Sequence, residues 1–244
     1  MMFASVSCRP DIGYAITLMS KYGSNPLAFH YNCLKDIAKY LRTTRDWGIR
    51  YYRTRVDSNL PSVTSDDVDA TSQQQVDLPE YPEDTRVGKL IGFVDAAYGN
   101  DPKRRRSTTG YAFTYAGGAV VYRSKAQSIT AQSSTEAELI AAVTASKTAI
   151  YIRSILKELG FEEKEPTPIY EDNASAIEIV NAQKPTERTR HIEIRFFAIQ
   201  DWKQAGYITL KHIPGVINPA DDLTKPLGWI LHSQHACYIM GISC

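Results

Sequence analysis

The chain has 244 residues, 43% of them hydrophobic and 23% charged, and a formal net charge of +1. That length can bury one sizeable core and a second small one. No uninterrupted apolar run approaches the roughly 18 residues of a membrane span, and the N-terminus lacks the basic-then-apolar order of a signal peptide. We therefore expect an intracellular protein that is not secreted and has no membrane partner. The four cysteines lack the spacing of a zinc site and are too few for a disulfide framework, so we expect reduced thiols.

Charge is unevenly distributed along the chain. Residues 1–55 carry nine Lys and Arg against three Asp and Glu, whereas residues 56–88 carry one against eight. A basic N-terminal part, an acidic spacer and a nearly neutral remainder indicate that a polyanion would be held by local patches rather than by bulk charge.

The N-terminal 55 residues are predicted to form a small helical segment. Pro10 and Asp11 suit a first helical turn, and apolar residues from Ile12 to Met19 recur at helical spacing. A second helix is predicted over 27–42, followed by an extended stretch at 47–52. Residues 56–88 are rich in Asp, Ser, Thr, Gln and Pro without any period, which is typical of a disordered linker.

Regular structure is predicted from Leu90 onward. An apolar run up to Asp95 indicates a strand, and after a loop at 101–106 two more strands flank a predicted hairpin turn at Gly117-Gly118. The later predicted elements are a helix from Ser133 to Gly160, a strand at 167–171, helices at 174–181 and about 191–204, a strand at 207–213 and a helix near Pro219. This order predicts an α/β fold with a mixed five-stranded sheet, in which three antiparallel strands are followed by alternating helices and strands.

Four acidic residues fall at the ends of these predicted elements. Asp95 ends the first strand, Glu138 lies in the first turns of the long helix, Asp172 follows the fourth strand, and Asp221 opens the last helix. Each alone is an ordinary turn or helix-end acid. Converging carboxylates, however, raise one another's pKa and are best accommodated around divalent cations, and their oxygens are the ligands that Mg²⁺ prefers.

Two of these acids have an acidic neighbour that competes for the same role. Glu136 and Glu138 point about 200° apart on a helix, so only one can face the sheet. Glu136 is placed to close a capping box with Ser133, which leaves Glu138 as the ligand candidate. Asp221 and Asp222 also diverge, and local chemistry does not decide between them because either one suits the first turn of a helix.

Five sequence strings in order between Leu90 and Gly228 carry a family resemblance: GFVDAAYGNDPKRRRSTTGY, SSTEAELIAA, YEDNASAI, RTRHIEIRFF and NPADDLTKPLG. They are similar to the ribonuclease H domain of copia-type LTR retrotransposon polyproteins, and residues 1–55 resemble the end of the reverse transcriptase in the same polyproteins. The resemblance implies a reverse transcriptase segment (1–55), a linker (56–88), a ribonuclease H-like domain (89–228) and a C-terminal tail (229–244). By analogy, it also selects Asp221 over Asp222.

The resemblance implies an endonuclease that hydrolyses the RNA strand of RNA–DNA hybrids during reverse transcription. Asp95, Glu138, Asp172 and Asp221 would hold two Mg²⁺ ions, with Mn²⁺ as an alternative. The rest of the polyprotein would be a partner, in a cytoplasmic virus-like particle or the nucleus. No polymerase activity is expected, because residues 1–55 lack the paired-Asp polymerase motif. The alternative function is a catalytically silent hybrid-binding or connection module from a decayed element, against which the presence of all four acids argues.

Polar and basic residues around the acids are candidates for substrate contact, because an RNA–DNA hybrid is recognised by shape, 2′-hydroxyls and phosphates. The candidates are Arg104, Arg105, Arg106, Ser133, Ser134, Asn173, Arg188, Arg190 and His191. Helix capping is the alternative role for the Ser and Asn residues. A solvated hairpin loop and surface ion pairs are the alternatives for the two basic groups. The offset of His212 from Asp221 does not match the histidine of many cellular ribonucleases H, so we interpret His212 as a strand-end residue, with a role in product release as the alternative.

Overall fold

The computed structural model describes residues 1–52, 81, 88–101, 104–182 and 193–243, and for residues 193–196 it describes the backbone alone. Apart from Tyr81 and Gly88, the predicted linker lies outside these residues. The helices and strands, in chain order, are α1 (Met2–Ser7), α2 (Gly13–Ser20), α3 (Ala28–Thr43), β1 (Ile91–Ala97), β2 (Thr108–Tyr115), β3 (Gly118–Ala126), α4 (Ser134–Glu158), β4 (Thr167–Glu171), α5 (Ala174–Asn181), α6 (Glu193–Gln204), β5 (Ile208–His212) and α7 (Trp229–Met240). Short 3-10 helices lie at Pro10–Ile12, Gly215–Ile217 and Pro219–Leu223.

The five strands form one mixed sheet in the order β3-β2-β1-β4-β5. β1 pairs antiparallel with β2 and β2 with β3, whereas β4 runs parallel to both β1 and β5. The predicted α/β class with a mixed five-stranded sheet is therefore confirmed, with its three antiparallel strands, its alternating helices and strands, and its N-terminal helical segment. Phe93 of β1 pairs with Tyr170 of β4, so Asp95 and Asp172, each two residues further on, leave the sheet at the same edge.

Side chains that alternate along the strands build a hydrophobic layer on each face of the sheet. On one face, Val94 and Ile169 pack with the small residues of α4 and with residues of α5 and α6. On the other face, Ile91 and Phe93 pack with the two C-terminal 3-10 helices and with Tyr238 of α7. The helix α7 thus covers the sheet opposite α4.

The helix α4 would pass for a membrane span by its length and apolar composition alone. Its buried residues include Ala141, Ala145, Ala149 and Ile152, which lie in the core against the sheet. This burial is what a core helix requires, and the alanines let the helix approach the strands closely.

The N-terminal segment docks on the sheet domain through a buried polar network. Arg9 binds the carboxylate of Asp11 at 2.6 Å, and the hydroxyl of Tyr40 donates to the same carboxylate at 2.7 Å. The Tyr40 hydroxyl also lies 3.1 Å from Nε2 of His232 in α7. The extended stretch predicted at 47–52 is present, and its Arg50 N–H donates to the Met240 carbonyl at 2.7 Å. The first helix, α1, was not predicted from the sequence.

Two predicted element boundaries differ from the structure. The β2–β3 turn consists of Ala116 and Gly117, both with positive φ, and Gly118 already pairs with Tyr115. Gly118 serves a different need, because a Cβ there would lie 2.6 Å from the Arg50 carbonyl oxygen. The helix predicted near Pro219 is a five-residue 3-10 helix.

The expectation of reduced cysteines is wrong for one residue. Cys8 and Cys33 are free, whereas Cys237 in α7 is disulfide-bonded. The spacing of the cysteines alone gave no sign of this bond. Gly241 ends α7 with a φ of 68°, in the left-handed region that commonly ends helices.

Candidate metal centre

Three of the four predicted acids converge at the sheet edge. One carboxylate oxygen from each of Asp95, Glu138 and Asp172 lies within 4.8 Å of the other two. Asp95 and Glu138 are 3% and 6% exposed, and Asp172 is half-buried, so the group opens to solvent on the Asp172 side. The end of β1, the second turn of α4 and the end of β4 thus deliver one acid each.

The fourth acid, Asp221, lies beside this group rather than within it. Its Oδ1 atom forms an ion pair with Nζ of Lys225 at 2.8 Å, and the same Nζ lies 4.0 Å from Oδ2 of Asp95. Burial, followed by the charge of Asp95, raises the pKa of Asp221 to about 7. Lys225 therefore stands between two carboxylates of one electrostatic cluster.

Asp222 is turned away from the cluster. Its carboxylate accepts a hydrogen bond from Nδ1 of His232 at 2.5 Å, which joins it to the network of Tyr40 and Asp11. Burial raises the pKa of Asp222 to about 6. Burial lowers the pKa of His232, but the hydrogen bond to Asp222 outweighs it and the net shift is upward. Of the two adjacent acids, only Asp221 faces Asp95.

The two glutamates at the start of α4 have separate roles. Ser133 Oγ accepts the Glu136 N–H at 3.1 Å, and Oε2 of Glu136 accepts the N–H of Gln132 at 2.7 Å. In a capping box, Glu136 would accept the backbone N–H of Ser133. In the structure it accepts that of the preceding residue, Gln132. Glu136 is thus committed to the helix start, and Glu138 faces the other acids.

A fifth acid, Glu171, was missed by sequence reasoning. It is the last residue of β4 and is fully buried, and burial raises its pKa well above the usual value. Burial also raises the pKa of Glu138, followed by the charge of Glu171. The sequence held a usable signal, since Glu171 is two residues after the core residue Ile169 and therefore shares its face of the strand.

The donor set fits a divalent cation. Clustered carboxylates repel one another, and the raised pKa values of Glu138, Asp172 and Asp221 reflect that repulsion together with burial. Oε2 of Glu138 is buried and has no hydrogen-bond partner among the described residues. Hard carboxylate oxygens of this kind suit Mg²⁺ or Mn²⁺.

Two contacts orient Asp95 and its surroundings. The hydroxyl of Thr224 donates to Oδ2 of Asp95, which leaves the other carboxylate oxygen available as a ligand. The side-chain amide of Asn218 donates to the Val94 carbonyl at 2.9 Å. The 3-10 helix that carries Asp221 is therefore fixed directly to β1.

The structure places the candidate substrate contacts in three different situations. Arg104, Arg105 and Arg106 lie in the β1–β2 loop, the first two exposed. Ser133 and Asn173 are engaged as helix caps, of α4 and α5, and Ser134 is exposed at the start of α4. Arg188, Arg190 and His191 lie outside the described residues. His212 ends β5 exposed, and its charge lowers the pKa of Asp172, against the larger effect of burial.

Comparison with known proteins shows relatives among transposon polyproteins. The chain is 33% identical over 225 residues to the retrovirus-related Pol polyprotein from transposon TNT 1-94 of Nicotiana tabacum, covering 92% of this chain and 14% of that protein. It is 29% identical over 219 residues to the retrovirus-related Pol polyprotein from transposon RE2 of Arabidopsis thaliana, and the match covers 90% of this chain and 13% of that protein. The chain thus spans about one seventh of the length of these relatives.

A shorter relative is the secreted RxLR effector protein 161 of Plasmopara viticola, 31% identical over 154 residues, covering 62% of this chain and 85% of that protein. Similar solved structures include LC11-RNase H1, isolated from compost, at 16% identity and a TM-score of 0.44, covering 57% of this chain and 94% of that one. The structure of LC11-RNase H1 in complex with an RNA/DNA hybrid shows 15% identity and a TM-score of 0.42, and the match covers 56% of this chain and 94% of that one. No protein-family profile matches the chain.

Proposed function

Because the chain belongs to the retrovirus-related Pol polyproteins of transposons, we propose that it hydrolyses the RNA strand of RNA–DNA hybrids formed while such an element is reverse transcribed. The observation that carries the proposal is the convergence of Asp95, Glu138 and Asp172 at one edge of the sheet. The rest of the polyprotein would be its partner. We place the activity inside the cell, in a cytoplasmic virus-like particle or the nucleus.

The acids would bind metal ions at two positions. Asp95, Glu138 and Asp172 would hold one divalent ion, and Asp95 with Asp221 a second. When bound, such ions supply the Lewis acidity that activates a water and stabilises the leaving 3′ oxygen of the scissile phosphate. Magnesium suits the oxygen donors, and manganese shares that preference.

The protein's own groups prepare the site for this chemistry. Thr224 holds the Asp95 carboxylate in one orientation, so the ligand is fixed before metal or substrate arrives. Lys225 offsets part of the negative charge between Asp95 and Asp221. This positive charge also favours the approach of a phosphodiester to a cluster that would otherwise repel it.

A cleavage assay with the full chain tests this function. A labelled RNA strand annealed to DNA should be shortened in Mg²⁺ and remain intact in EDTA. Asp95→Asn should abolish cleavage and leave the far-UV circular dichroism unchanged, whereas Glu158→Gln, an exposed acid at the end of α4, should cleave normally. Hybrid binding without cleavage in any metal would instead identify a silent module, and cleavage by Asp95→Asn would overturn the site assignment.

A further inference from the structure

A polar pocket of about 300 Å³ lies between the N-terminal segment and the β1–β2 loop. Lys21, Tyr22 and Ser24 line it from the N-terminal segment. Asp101, Arg104 and Arg106 line it from the loop, and Ala126 of β3 completes the wall. Three cationic side chains against one carboxylate give the pocket a net positive charge.

The backbone of the loop is fixed around the single acid of the pocket. Oδ1 of Asp101 accepts the Arg104 N–H at 3.0 Å, its carbonyl accepts the Arg105 N–H at 2.8 Å, and its own N–H donates to the Arg106 carbonyl at 3.1 Å. Arg105 takes a φ of 53° within this turn. These hydrogen bonds set the backbone positions from which Arg104 and Arg106 extend.

Asp101 also joins the loop to the N-terminal segment. Its Oδ2 atom lies 3.4 Å from Nζ of Lys21, and both side chains are largely buried, at 11% and 21% exposure. The negative charge of the pocket is thus matched by Lys21. Within the described part of the chain, neither Arg104 nor Arg106 has an acidic side chain as a partner, so two guanidinium groups remain to bind an anion.

The base of the same loop is bonded to the carboxylate cluster. The side-chain amide of Asn100 donates to the Thr224 carbonyl at 3.2 Å, and the Thr108 hydroxyl donates to Asn100 Oδ1 at 2.8 Å. Thr224 in turn donates to Asp95. The pocket therefore lies on a loop that leaves the same end of β1 as the proposed catalytic acid and is held by a shared residue.

We propose that this pocket binds a phosphodiester group of the nucleic-acid substrate, with Arg104 and Arg106 on one side and Lys21 and Ser24 on the other. The inference rests on the proposed function, since it names the group that the same enzyme grips away from its acids. Guanidinium forks and a hydroxyl are the donors that bind phosphate oxygens. The N-terminal segment then forms part of the substrate-binding surface, in keeping with its excess of basic residues.

Salt-dependent binding of a fluorescent RNA–DNA hybrid tests the pocket. The full chain carrying Asp95→Asn, in Mg²⁺, serves as the parent, so that binding is measured without cleavage. Each phosphate contact adds about 0.7 to 0.9 to the slope of log K against log salt. Removing Arg104 and Arg106 together to Ala should weaken binding about tenfold near 100 mM salt and lower the slope by about 0.7 to 0.9, because the proposed pocket holds one phosphodiester group.

Two further variants address the N-terminal side of the pocket. Lys21→Ala should weaken binding by less than the loss of both arginines does, because Arg104 and Arg106 still hold the phosphate. Ser24→Glu, at an exposed position in the pocket lining, should weaken binding because it adds a negative charge where the phosphate would lie. The matched control is Lys35→Ala with Lys147→Ala, which removes two exposed positive charges outside the pocket lining and should bind as the parent does.

The outcomes separate this inference from the proposed function. An unchanged slope in the Arg104 and Arg106 variant overturns the pocket, even if the wild-type chain cleaves hybrid. Changed binding in that variant with parental binding in both Lys21→Ala and Ser24→Glu overturns the role of the N-terminal segment. A parent chain that binds no hybrid at all overturns the pocket and, together with absent cleavage by the wild type, the function as well.

Discussion

Asp221 and Asp222 are consecutive residues of one short 3-10 helix, and their carboxylates pair with different basic side chains. Asp221 pairs with Lys225 next to Asp95, whereas Asp222 pairs with His232 of α7. The first acid therefore belongs to the proposed metal centre and the second to the contact between the N-terminal segment and the sheet domain.

Changing each of the two aspartates to Asn should affect a different property, cleavage for Asp221 and stability for Asp222. Asp221→Asn should lower the cleavage rate by about tenfold or more, because it removes a charged metal ligand. Asp222→Asn should keep cleavage within a few-fold and lower the free energy of unfolding by about 1 to 3 kcal/mol, because it leaves His232 without its charged partner. Rate and urea midpoint are measured on both variants, and the reverse pattern would exchange their roles.

The metal-free protein should lose stability as the pH rises. Folding raises the pKa of carboxyl groups such as that of Asp221, from 3.8 to about 7. Between these two pH values, such groups bind more protons in the folded chain than in the unfolded chain. The contribution of these groups to the unfolding free energy is then largest below pH 4 and is lost as the pH rises through the folded pKa, which lowers stability between pH 5 and pH 8 by about 1 to 3 kcal/mol. Urea unfolding in EDTA at pH 5 and pH 8 measures this dependence.

Asp221→Asn should reduce the pH dependence in EDTA, and Glu158→Gln, at an exposed site, should leave it unchanged. Added Mg²⁺ should restore stability at pH 8, because binding to the folded state alone stabilises it. Equal stability of the metal-free wild type at both pH values would contradict the idea that these carboxyl groups share a buried, repulsive site.

Gly110→Ala should impair the proposed metal centre, because the added methyl group would increase the distance between β2 and the 3-10 helix that carries Asp221. Gly110 pairs with Asp95 across β1 and β2, and a Cβ there would lie 2.8 Å from Leu223 Cβ and 2.9 Å from the Ala220 carbonyl oxygen. The 3-10 helix that carries Asp221 would have to move away from the sheet. We expect cleavage to fall by about tenfold and stability by about 1 to 3 kcal/mol.

Gly48→Ala is the matched control, because no atom lies within 4 Å of an added Cβ at that position. Cleavage assays and urea unfolding are run on both proteins. A Gly110→Ala protein with the activity of wild type would show that the spacing between β2 and the 3-10 helix does not limit the site.

Tyr40→Phe should weaken the docking of the N-terminal segment. The substitution removes the hydroxyl that donates to Asp11 and contacts His232, at a cost of about 1 to 2 kcal/mol in unfolding free energy. Tyr31→Phe removes the hydroxyl of a residue that is 61% exposed and should change nothing. Equal urea midpoints for the two variants would argue that the Tyr40 network contributes no net stability.

The order of elements and the positions of the acids could be predicted because they depend on local pattern. The apolar run before Asp95 and the small residues beside Glu138 identify which end of each element carries the acid. The parallel pairing of β1 and β4 then brings Asp95 and Asp172 together, as the alternation of helices and strands implies. The same local rules separate Glu136, as a helix-start residue, from Glu138.

Other features of the site depend on contacts between distant parts of the chain. Nothing near Lys225 in the sequence indicates that its ammonium group lies between Asp95 and Asp221. Lys21 is 80 residues from Asp101, with which it pairs. The choice between Asp221 and Asp222 likewise requires knowing where His232 of α7 lies. Such contacts follow from how the elements pack, which local sequence pattern does not specify.

The docking of the N-terminal segment has a consequence for covalent continuity. Its contacts run from Tyr40 to His232, from Arg50 to Met240 and from Lys21 to Asp101, and none of them uses the chain between residues 53 and 80. Two separately produced fragments that keep these contacts should therefore reassemble without a covalent link, at a concentration set by the contacts.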